Sequence, residues 1–368
     1  MNAQIFENYE SILSDKYKEL QKNSKYMIGY PVNEKFNYSI LNKFFELSLN
    51  NAGDPFNNSN YKLNTHEFES EVVSFIANLY YKNENFWGYI TNGGTEGNLF
   101  GLHVGRLCYP DGIVYYSEHS HYSIPKAVSI TRSQFESIPV LENGELNYNI
   151  LEEKIHSHSK KPVIIMANLG TTMTGAIDNL EKIKCILERN RVSKYYIHCD
   201  AAFHGLILPF CEMDKPIKLD EIHSISISGH KFIGSPIPCG VFLTHQSIMN
   251  DIKNFIEYIK SSDSTLTGSR NAITPLILWC AIQQHSHLKL KHIVEESLEK
   301  AKYTRDKMVN NGINAWINQY SPIVVFPRPK DDVIKKWTLA PYNEIAHMIT
   351  LPHVSYKVID NFIEDLLL

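Results

Sequence analysis

Short, almost continuously apolar segments alternate with longer amphipathic ones between residues 87 and 244, and this alternation constrains the fold more than any other feature. Such runs are typical of strands buried on both faces, although one run alone does not distinguish a strand from a buried helix. Strands interleaved with helices predict an α/β fold with a mostly parallel mixed sheet covered by helices. We assign strands to Trp87–Thr91, Ile113–Tyr116, Pro162–Asn168, Tyr195–Cys199, Ser224–Ser228 and Gly240–Thr244, and intervening helices to Thr95–Cys108, Ile124–Ile130 and Asn179–Asn190.

The length of 368 residues allows one large core and a smaller appended domain. We predict an N-terminal helical segment over residues 1–50, a large domain over 51–285 and a small C-terminal α/β domain over 286–368. Apolar periodicity predicts helices over residues 2–22, about 38–50, Glu67–Tyr81 and Leu276–Asn310. In the small domain we expect strands at Ile323–Phe326 and Ile345–Thr350, and helices at Asp332–Leu339 and Ser355–Leu367.

Composition argues against several classes of function. A net charge of −4 without a basic run makes a nucleic-acid partner unexpected. The longest apolar stretches, Gly205–Phe210 and Pro275–Ile282, are too short to cross a bilayer, and the polar N-terminus does not resemble a signal or transit peptide. Six cysteines without a C-x-x-C pair argue against a disulfide framework or a zinc ribbon. We therefore expect a cytoplasmic protein with no membrane partner.

A lysine, Lys231, comes three residues after the apolar run that ends at Ser228, and Asp200 ends another such run 31 residues before this lysine. A lysine held among apolar walls loses proton affinity and becomes a nucleophile that can form a Schiff base. Both side chains are expected in one crevice, because the carboxyl ends of parallel strands meet there. A carboxylate at that place can keep the pyridine nitrogen of pyridoxal phosphate (PLP) protonated, which makes the ring an electron sink. Taken alone, Lys231 is more typical of a surface lysine and Asp200 of a strand-end turn, and only their shared location favours the cofactor site.

The segment TNGGTEGN (91–98) follows a predicted strand and opens a predicted helix. Its glycines let the backbone approach a phosphate closely, and the free N–H groups of a helix start favour an anion. Thr95 adds a hydroxyl donor. The spacing matches neither a P-loop nor G-x-G-x-x-G, so no nucleotide motif is present, and a Gly-Gly pair is also typical of an ordinary turn.

Histidines follow the predicted strand Ile113–Tyr116 at positions 119 and 121. The imidazole of His121 can stack on a flat cofactor ring. The pair His119 and His121 could instead ligate a metal and serve a hydrolase, but no third ligand has a supporting pattern and H-E-x-x-H is absent. We predict no metal site. The remaining close pairs, His156/His158 and His285/His287, lie in polar or helical context and are expected at the surface.

Six motifs in fixed order resemble the group II PLP-dependent amino-acid decarboxylases, in particular bacterial histidine decarboxylases and plant serine decarboxylases. The resemblance runs from Gly29-Tyr30-Pro31 nearly to the C-terminus. It implies fold type I and a homodimer, or a larger assembly, with its active sites at the subunit interface. The motifs are TNGGTEGN (91–98), HYS (121–123), GTTMTGAIDN (170–179), HCDAA (198–202), SGHKFIGSPIPCG (228–240) and TGSRN (267–271).

The resemblance also implies a role for each matching residue. Lys231 is expected to carry PLP as a Schiff base and Asp200 to pair with the pyridine nitrogen. His121 would stack on one face of the ring and Ala202 would pack on the other. His230 or a tyrosine would return the proton that replaces the carboxyl group. Phosphate binding is expected from Gly94, Thr95, Ser228 and His230, with Gly268 and Ser269 of the neighbouring subunit, and contact with the ring hydroxyl from Thr171 and Thr172.

The implied reaction is decarboxylation of an L-amino acid to the corresponding amine and carbon dioxide. We favour L-histidine to histamine, with L-serine to ethanolamine, another amino acid, or decarboxylation coupled to oxidative deamination as alternatives. Two places depart from the family pattern: Ala272-Ile273 replaces Gly-His, and Phe203-His204 follows HCDAA. Either change could alter the polarity of the substrate pocket or be neutral drift in packing.

Overall fold

The order of helices and strands in the computed structural model follows the predicted alternation. The structure describes residues 9–33, 36–80, 85–213, 216–217, 221–250, 252 and 254–368. Its helices are α1 Tyr9–Ser24, α2 His66–Tyr80, α3 Gly94–Cys108, α4 Ser123–Ile130, α5 Tyr148–Ser157, α6 Leu180–Arg189, α7 Gln246–Met249, α8 Ile273–Gln284, α9 His287–Asn310, α10 Asp331–Trp337 and α11 Tyr356–Leu367. Its strands are β1 Asn51–Ala52, β2 Phe86–Thr91, β3 Ile113–Ser117, β4 Phe135–Ile138, β5 Val163–Asn168, β6 Tyr195–Asp200, β7 Ser224–Ser228, β8 Gly240–His245, β9 Asn254–Ile256, β10 Ser261–Asp263, β11 Ser269–Arg270, β12 Trp316–Ile317, β13 Ile323–Pro327, β14 Ala340–Tyr342 and β15 Ile345–Ile349.

Seven strands form the large sheet in the order β2-β8-β7-β6-β5-β3-β4. Strand β8 runs antiparallel to both of its neighbours, and the other four pairs are parallel. All six strands predicted between residues 87 and 244 lie in this sheet, so the prediction of a mostly parallel mixed sheet is confirmed. The edge strand β4 is not predicted, because its short FESI run is polar and partly exposed.

Alternation of side chains along the central strands divides the apolar core into two layers. Ile164 and Met166 of β5 pack in a layer with Phe100 of α3 and residues of α4. Val163 and Ile165 pack in the other layer, with residues of α2, α5 and α6. Helices therefore cover both faces of β5, which explains why the strand is apolar at successive positions.

The long helix predicted over Leu276–Asn310 is wrong, because the chain forms two helices there, α8 and α9. Helix α9 begins after Ser286, whose hydroxyl accepts a hydrogen bond from the backbone N–H of Lys289 as an N-cap. His285 at the break is buried and contacts Phe36 edge to face, so its predicted surface position is also wrong. His287, His156 and His158 are exposed or half-buried.

Two N-terminal predictions need qualification. The segment predicted as a helix over about 38–50 is a 3₁₀ helix over Ser39–Glu46. Helix α1 agrees with the helix predicted over 2–22 from Tyr9 onward, and residues 2–8 lie outside the described residues.

In the described part of the chain, no helix has the length and apolar character needed to cross a membrane.

A second, antiparallel sheet has the order β12-β13-β15-β14 and packs with α9, α10 and α11 around Phe326, Trp337 and Phe362. The four elements predicted here are confirmed, and the very short strands β12 and β14 are additional. The N-terminal loop packs tightly on this sheet, since a Cβ on Gly29 would lie 2.5 Å from the Cα of Leu339. The division into domains at residues 50 and 285 stays a prediction.

Candidate active site

A cavity of about 350 Å³ lies where carboxyl ends of the large sheet face the small sheet and the N-terminal loop. Six predicted site residues line it, and His121, Asp200 and Lys231 are among them. These three carry the groups that can exchange a proton. They come from the ends of three different strands, β3, β6 and β7, as expected for the crevice of a parallel sheet. The lining residues are Gly29, Tyr30, Pro31, His121, Tyr122, Asn168, Gly170, Thr171, Thr172, Asp200, Ala202, Phe203, Lys231, Ile323, Ala340, His347 and Ile349.

The Lys231 side chain lies three residues beyond the end of β7. Burial lowers the pKa of its amine below the ordinary value of 10.5, because charging the amine away from water is unfavourable. The negative charge of Asp200 opposes this shift and raises the pKa. Desolvation is the larger effect, so the site favours the neutral, nucleophilic amine.

The Asp200 carboxylate is buried at the end of β6 and has two hydrogen-bond donors. The side-chain amide of Asn98 donates to Oδ2 at 2.7 Å, and the backbone N–H of Ala202 donates to Oδ1 at 3.0 Å. Asn98 belongs to the TNGGTEGN motif, but the sequence gives no sign of its contact with a carboxylate 102 residues away. Both donors stabilise the ionised form of Asp200 where it meets the cavity.

His121 reaches the cavity from the loop between β3 and α4 and is held by Ser123. Its Nδ1 lies 2.9 Å from the Ser123 hydroxyl and accepts the backbone N–H of Ser123 at 3.2 Å. Burial lowers the pKa of the imidazole; the positive charge of Lys231 lowers it further and the negative charge of Asp200 opposes this. The ring is therefore neutral at neutral pH, and Ala202 is a further wall of the same cavity.

A second cluster of predicted residues adjoins the cavity through Ala202. Gly93 has φ +136° and precedes the first turn of α3, where the first N–H groups of a helix have no partner within the helix. A Cβ on Gly94 would lie 2.9 Å from the Ser228 hydroxyl and 3.3 Å from the Cβ of Ala202. A Cβ on Gly93 would lie 3.6 Å from His230, whose Nδ1 lies 2.9 Å from the Cys239 carbonyl oxygen.

This glycine cradle has the properties of an anion site. Free N–H groups at a helix start favour a phosphate, and the Ser228 hydroxyl and His230 ring lie beside them. Thr95 is exposed in the first turn of α3, where its hydroxyl is accessible. His230 is not among the side chains that line the cavity, so its position agrees better with the predicted phosphate contact than with proton return to the substrate.

The two predicted threonines differ in how available their hydroxyls are. Thr171 is buried, and its Oγ1 lies 2.8 Å from the Thr174 hydroxyl and accepts the N–H of Ala176 at 3.0 Å. Thr172 is exposed at the cavity wall. Thr172 is therefore the better placed of the two for a contact with a bound ring.

Gly268 and Ser269 do not reach this cavity within one chain. Both are exposed, and Ser269 pairs with Ala52 while its hydroxyl accepts the side-chain amide of Asn50 at 3.2 Å. The next residue, Arg270, forms a buried ion pair with Glu69 that fixes this segment on the scaffold. Their contribution to the site of a neighbouring subunit stays a prediction.

The two departures from the family pattern lie in different surroundings. Phe203 lines the cavity, whereas Ala272 and Ile273 begin α8 outside it. His204 is fully buried behind the wall, and neither of its ring nitrogens has a hydrogen-bond partner among the described residues. Burial lowers its pKa to about 3, with a smaller effect from Lys231, so the ring is neutral.

Sequence reasoning missed the contribution of the small sheet to the cavity. His347 of β15 lines it, and its Nε2 lies 3.0 Å from the carbonyl oxygen of Gly29. Nothing in the local IAHMI pattern distinguishes this histidine from a core residue.

Among the described residues, no group of three or more His, Cys, Asp or Glu side chains is placed to hold a metal ion.

The residues present fit PLP. The cavity offers a nucleophilic amine, a buried carboxylate with donors of its own, and a neutral imidazole and a methyl group for the faces of a ring. The adjoining glycine cradle fits a phosphate. Fold and site together define a PLP-dependent enzyme.

Comparison with known proteins assigns the family. The family of the pyridoxal-dependent decarboxylase conserved domain matches residues 108–326. The chain is 44% identical to a histidine decarboxylase of Vibrio anguillarum, an alignment that covers 94% of this chain and 91% of that protein. It is 42% identical to serine decarboxylase 2 of rice over 95% of this chain and 76% of that protein. The chain belongs to the pyridoxal-dependent decarboxylase family; it is a carboxy-lyase and its cofactor is PLP.

Solved structures agree on the fold. L-Methionine decarboxylase from Streptomyces sp. 590 superposes with a TM-score of 0.90 at 22% identity, covering 98% of this chain and 95% of that one. Glutamate decarboxylase from Lactobacillus brevis superposes with a TM-score of 0.79 at 18% identity, covering 96% and 90%. The predicted fold class, with a large mostly parallel sheet and a smaller α/β part, is confirmed.

The lowered pKa of Lys231 predicts a distinctive pH dependence of labelling. In cofactor-free protein, reductive methylation of Lys231, mapped by mass spectrometry, should reach half its maximal rate below pH 10.5. The exposed Lys302 serves as internal reference. Since the charge of Asp200 raises this pKa, Asp200→Asn should lower the pH of half-maximal labelling of Lys231 further. Identical pH profiles for Lys231 and Lys302 would contradict this description of the site.

Proposed function

We propose that this chain converts L-histidine to histamine and carbon dioxide, with PLP held covalently by Lys231. The observation that carries the proposal is the convergence of Lys231, Asp200, His121 and Ala202 on one cavity. Relatives named histidine decarboxylase, from Vibrio anguillarum and Morganella morganii, are each 44% identical to this chain. The rice relatives named serine decarboxylase, at 42% identity, keep L-serine to ethanolamine as the alternative.

Each cavity residue has a defined task in this proposal. When bound, PLP supplies the electron sink that accepts the bonding electrons left as carbon dioxide departs. Asp200 holds a proton at the ring nitrogen, and His121 and Ala202 confine the ring between them. The amine of Lys231, whose pKa burial lowers, would hold the cofactor covalently.

The phosphate is assigned to the cradle beside the cavity. Gly94, Thr95, Ser228 and His230 would hold it, which fixes the distance between the cofactor ring and Lys231. Thr172, and less directly Thr171, would contact the ring hydroxyl. Gly268 and Ser269 of a second subunit would complete the cradle, and their exposure away from their own cavity supports this assignment.

The substrate side chain has a mixed apolar and polar surrounding. Phe203, Tyr30 and Ile349 give the cavity apolar walls, while His347 and Thr172 bring polar groups. An imidazole suits this mixture, because its ring can pack on aromatic and aliphatic walls while its nitrogens find partners. The smaller side chain of serine would leave part of the same wall uncovered.

An amino-acid panel tests the proposed reaction. Purified protein loaded with PLP should release carbon dioxide fastest from L-histidine, with histamine identified by mass. Lys231→Ala should lower the rate by about 10³-fold or more, as for other groups that act covalently, while the surface variant Lys302→Ala should keep it. Ethanolamine from L-serine as the main product would favour the alternative, and an aldehyde with ammonia would indicate oxidative deamination. No carbon dioxide from any amino acid would contradict the proposal.

We further propose that the chain acts in the cytoplasm as a homodimer, alone or within a larger assembly. The six cysteines all lie among the described residues and none of them forms a disulfide, which supports a reducing compartment. None of the residues of α1 is buried, and its apolar side chains form one exposed stripe. An isolated helix of this length is marginal in water, so the stripe requires a covering surface. A second copy is the partner that would also bring Gly268 and Ser269 to the site. The stripe consists of Tyr9, Ile12, Leu13, Tyr17 and Leu20.

A charge within this stripe should disrupt the dimer. Ile12→Asp places a carboxylate where an apolar contact is proposed, so sedimentation velocity should show a shift from dimer toward monomer at micromolar concentration. Ser11→Asp adds the same charge on the opposite side of α1 and should leave the dimer intact. Equal behaviour of the two variants, or a monomeric parent protein, would refute the proposed interface.

A further inference from the structure

Strand β6 presents three polar side chains, Tyr196, His198 and Asp200, at alternate positions, which places them on one face of the sheet. Helix α3 lies unusually close to that face because glycines face the strand. A Cβ on Gly101 would lie 2.2 Å from Nδ1 of His198, and one on Gly105 would lie 2.9 Å from Cδ1 of Tyr196. This close approach brings Asn98 of α3 between His198 and Asp200.

The orientation of the Asn98 amide follows from the carboxylate. An ionised carboxylate only accepts hydrogen bonds, so the atom of Asn98 that lies 2.7 Å from Asp200 is the amide nitrogen. The amide oxygen then faces Nε2 of His198 at 3.1 Å. An amide oxygen only accepts, and His198 therefore carries a proton on Nε2.

The donor and acceptor roles of the next two hydrogen bonds, from His198 to Ser224 and from Ser224 to Tyr196, are fixed in the same way. Burial lowers the pKa of His198 to about 4, so the ring is neutral and its Nδ1 is an acceptor. The hydroxyl of Ser224, 2.7 Å away, must donate to this Nδ1. Since Ser224 has only one hydroxyl proton, its oxygen accepts the hydroxyl of Tyr196 at 2.8 Å.

A second series of hydrogen bonds leads from Asn98 through Ser123 to His121. The other proton of the amide points at the Ser123 hydroxyl oxygen, 3.0 Å away. The Ser123 hydroxyl proton is then directed at Nδ1 of His121, 2.9 Å away, and the backbone N–H of Ser123 supports the same arrangement. His121 consequently carries its proton on Nε2.

We infer that Asn98 is a positioning residue that orients the Asp200 carboxylate and selects the tautomer of His121 at the same time, and that buried His198 keeps the Asn98 amide in the required orientation. The inference rests on the proposed function only for its effect on turnover. A donor at Oδ2 stabilises Asp200 as an anion, which favours leaving the proton on the cofactor ring nitrogen. Neither Asn98 nor His198 lines the cavity, so neither contacts the substrate there.

The tautomers can be measured directly in protein without cofactor or substrate. With ¹⁵N-labelled histidine, long-range ¹H–¹⁵N spectra should show His198 and His121 both neutral and protonated on Nε2. This result does not depend on which amino acid the enzyme uses, so it separates failure of this inference from failure of the proposed function. A proton on Nδ1 of His198 would reverse the amide of Asn98 and overturn the inference.

Substitutions test the consequence for the site. Asn98→Leu keeps the volume and removes the donor, so kcat should fall about 10- to 100-fold, the range for losing a hydrogen bond to a buried charge. KM should change less, and the dissociation constant for PLP, measured by equilibrium dialysis, should rise. His198→Leu should show a smaller loss of the same kind, and His198→Gln should recover part of it, because its amide can still donate to Asn98.

The matched control is another buried donor to a carboxylate: the indole N–H of Trp87 donates to Oδ2 of buried Asp54 at 3.0 Å, and neither residue lines the cavity. Trp87→Phe removes this donor and should lower the melting temperature without altering kcat or PLP binding. If Asn98→Leu only lowers the melting temperature as Trp87→Phe does, and leaves kcat and the PLP dissociation constant within twofold of the parent, Asn98 has a structural role alone and the inference is wrong.

Discussion

The buried carboxylate of Asp200 is the charge around which the active site is organised. Leaving an ionised carboxylate without partners inside a protein is strongly unfavourable, so donors must surround it. Asn98 and the backbone of Ala202 supply them, and the backbone donor also fixes the residue that forms a wall of the cavity. Lys231 faces the same cavity, and burial lowers the pKa of its amine below the ordinary value. The site therefore holds one fixed negative charge next to a nucleophile.

The two sheets contribute different residues to this site. Parallel strands deliver His121, Asp200 and Lys231 to one crevice because their carboxyl ends share an edge. The small sheet closes the crevice from the opposite side with His347 and Ile349. Chemistry common to PLP decarboxylases thus comes from the large sheet, whereas much of the wall that a substrate side chain would meet comes from the small sheet and the N-terminal loop.

Sequence reasoning succeeded where a residue's surroundings are local. Strand β5 is apolar at every position before its last residue, Asn168. Asp200 ends one strand and Lys231 lies three residues beyond the end of another, so their meeting place follows from parallel topology. It failed where the partner is distant or the signal is weak. The bond between Asn98 and Asp200 joins residues 102 positions apart, and the break before α9 depends on a single N-cap at Ser286. His347 reaches the cavity only through packing of one sheet against another, which no local pattern encodes.

The most direct test of the central claim is the protonation state of the cofactor ring nitrogen in the loaded protein. With ¹⁵N-labelled PLP, the nitrogen chemical shift reports whether that atom carries a proton. We expect a protonated nitrogen in the parent protein and an unprotonated one in Asp200→Asn, because the amide cannot serve as the counter-charge. A nitrogen that is unprotonated in the parent, or that remains protonated without the carboxylate, would contradict the role assigned to Asp200.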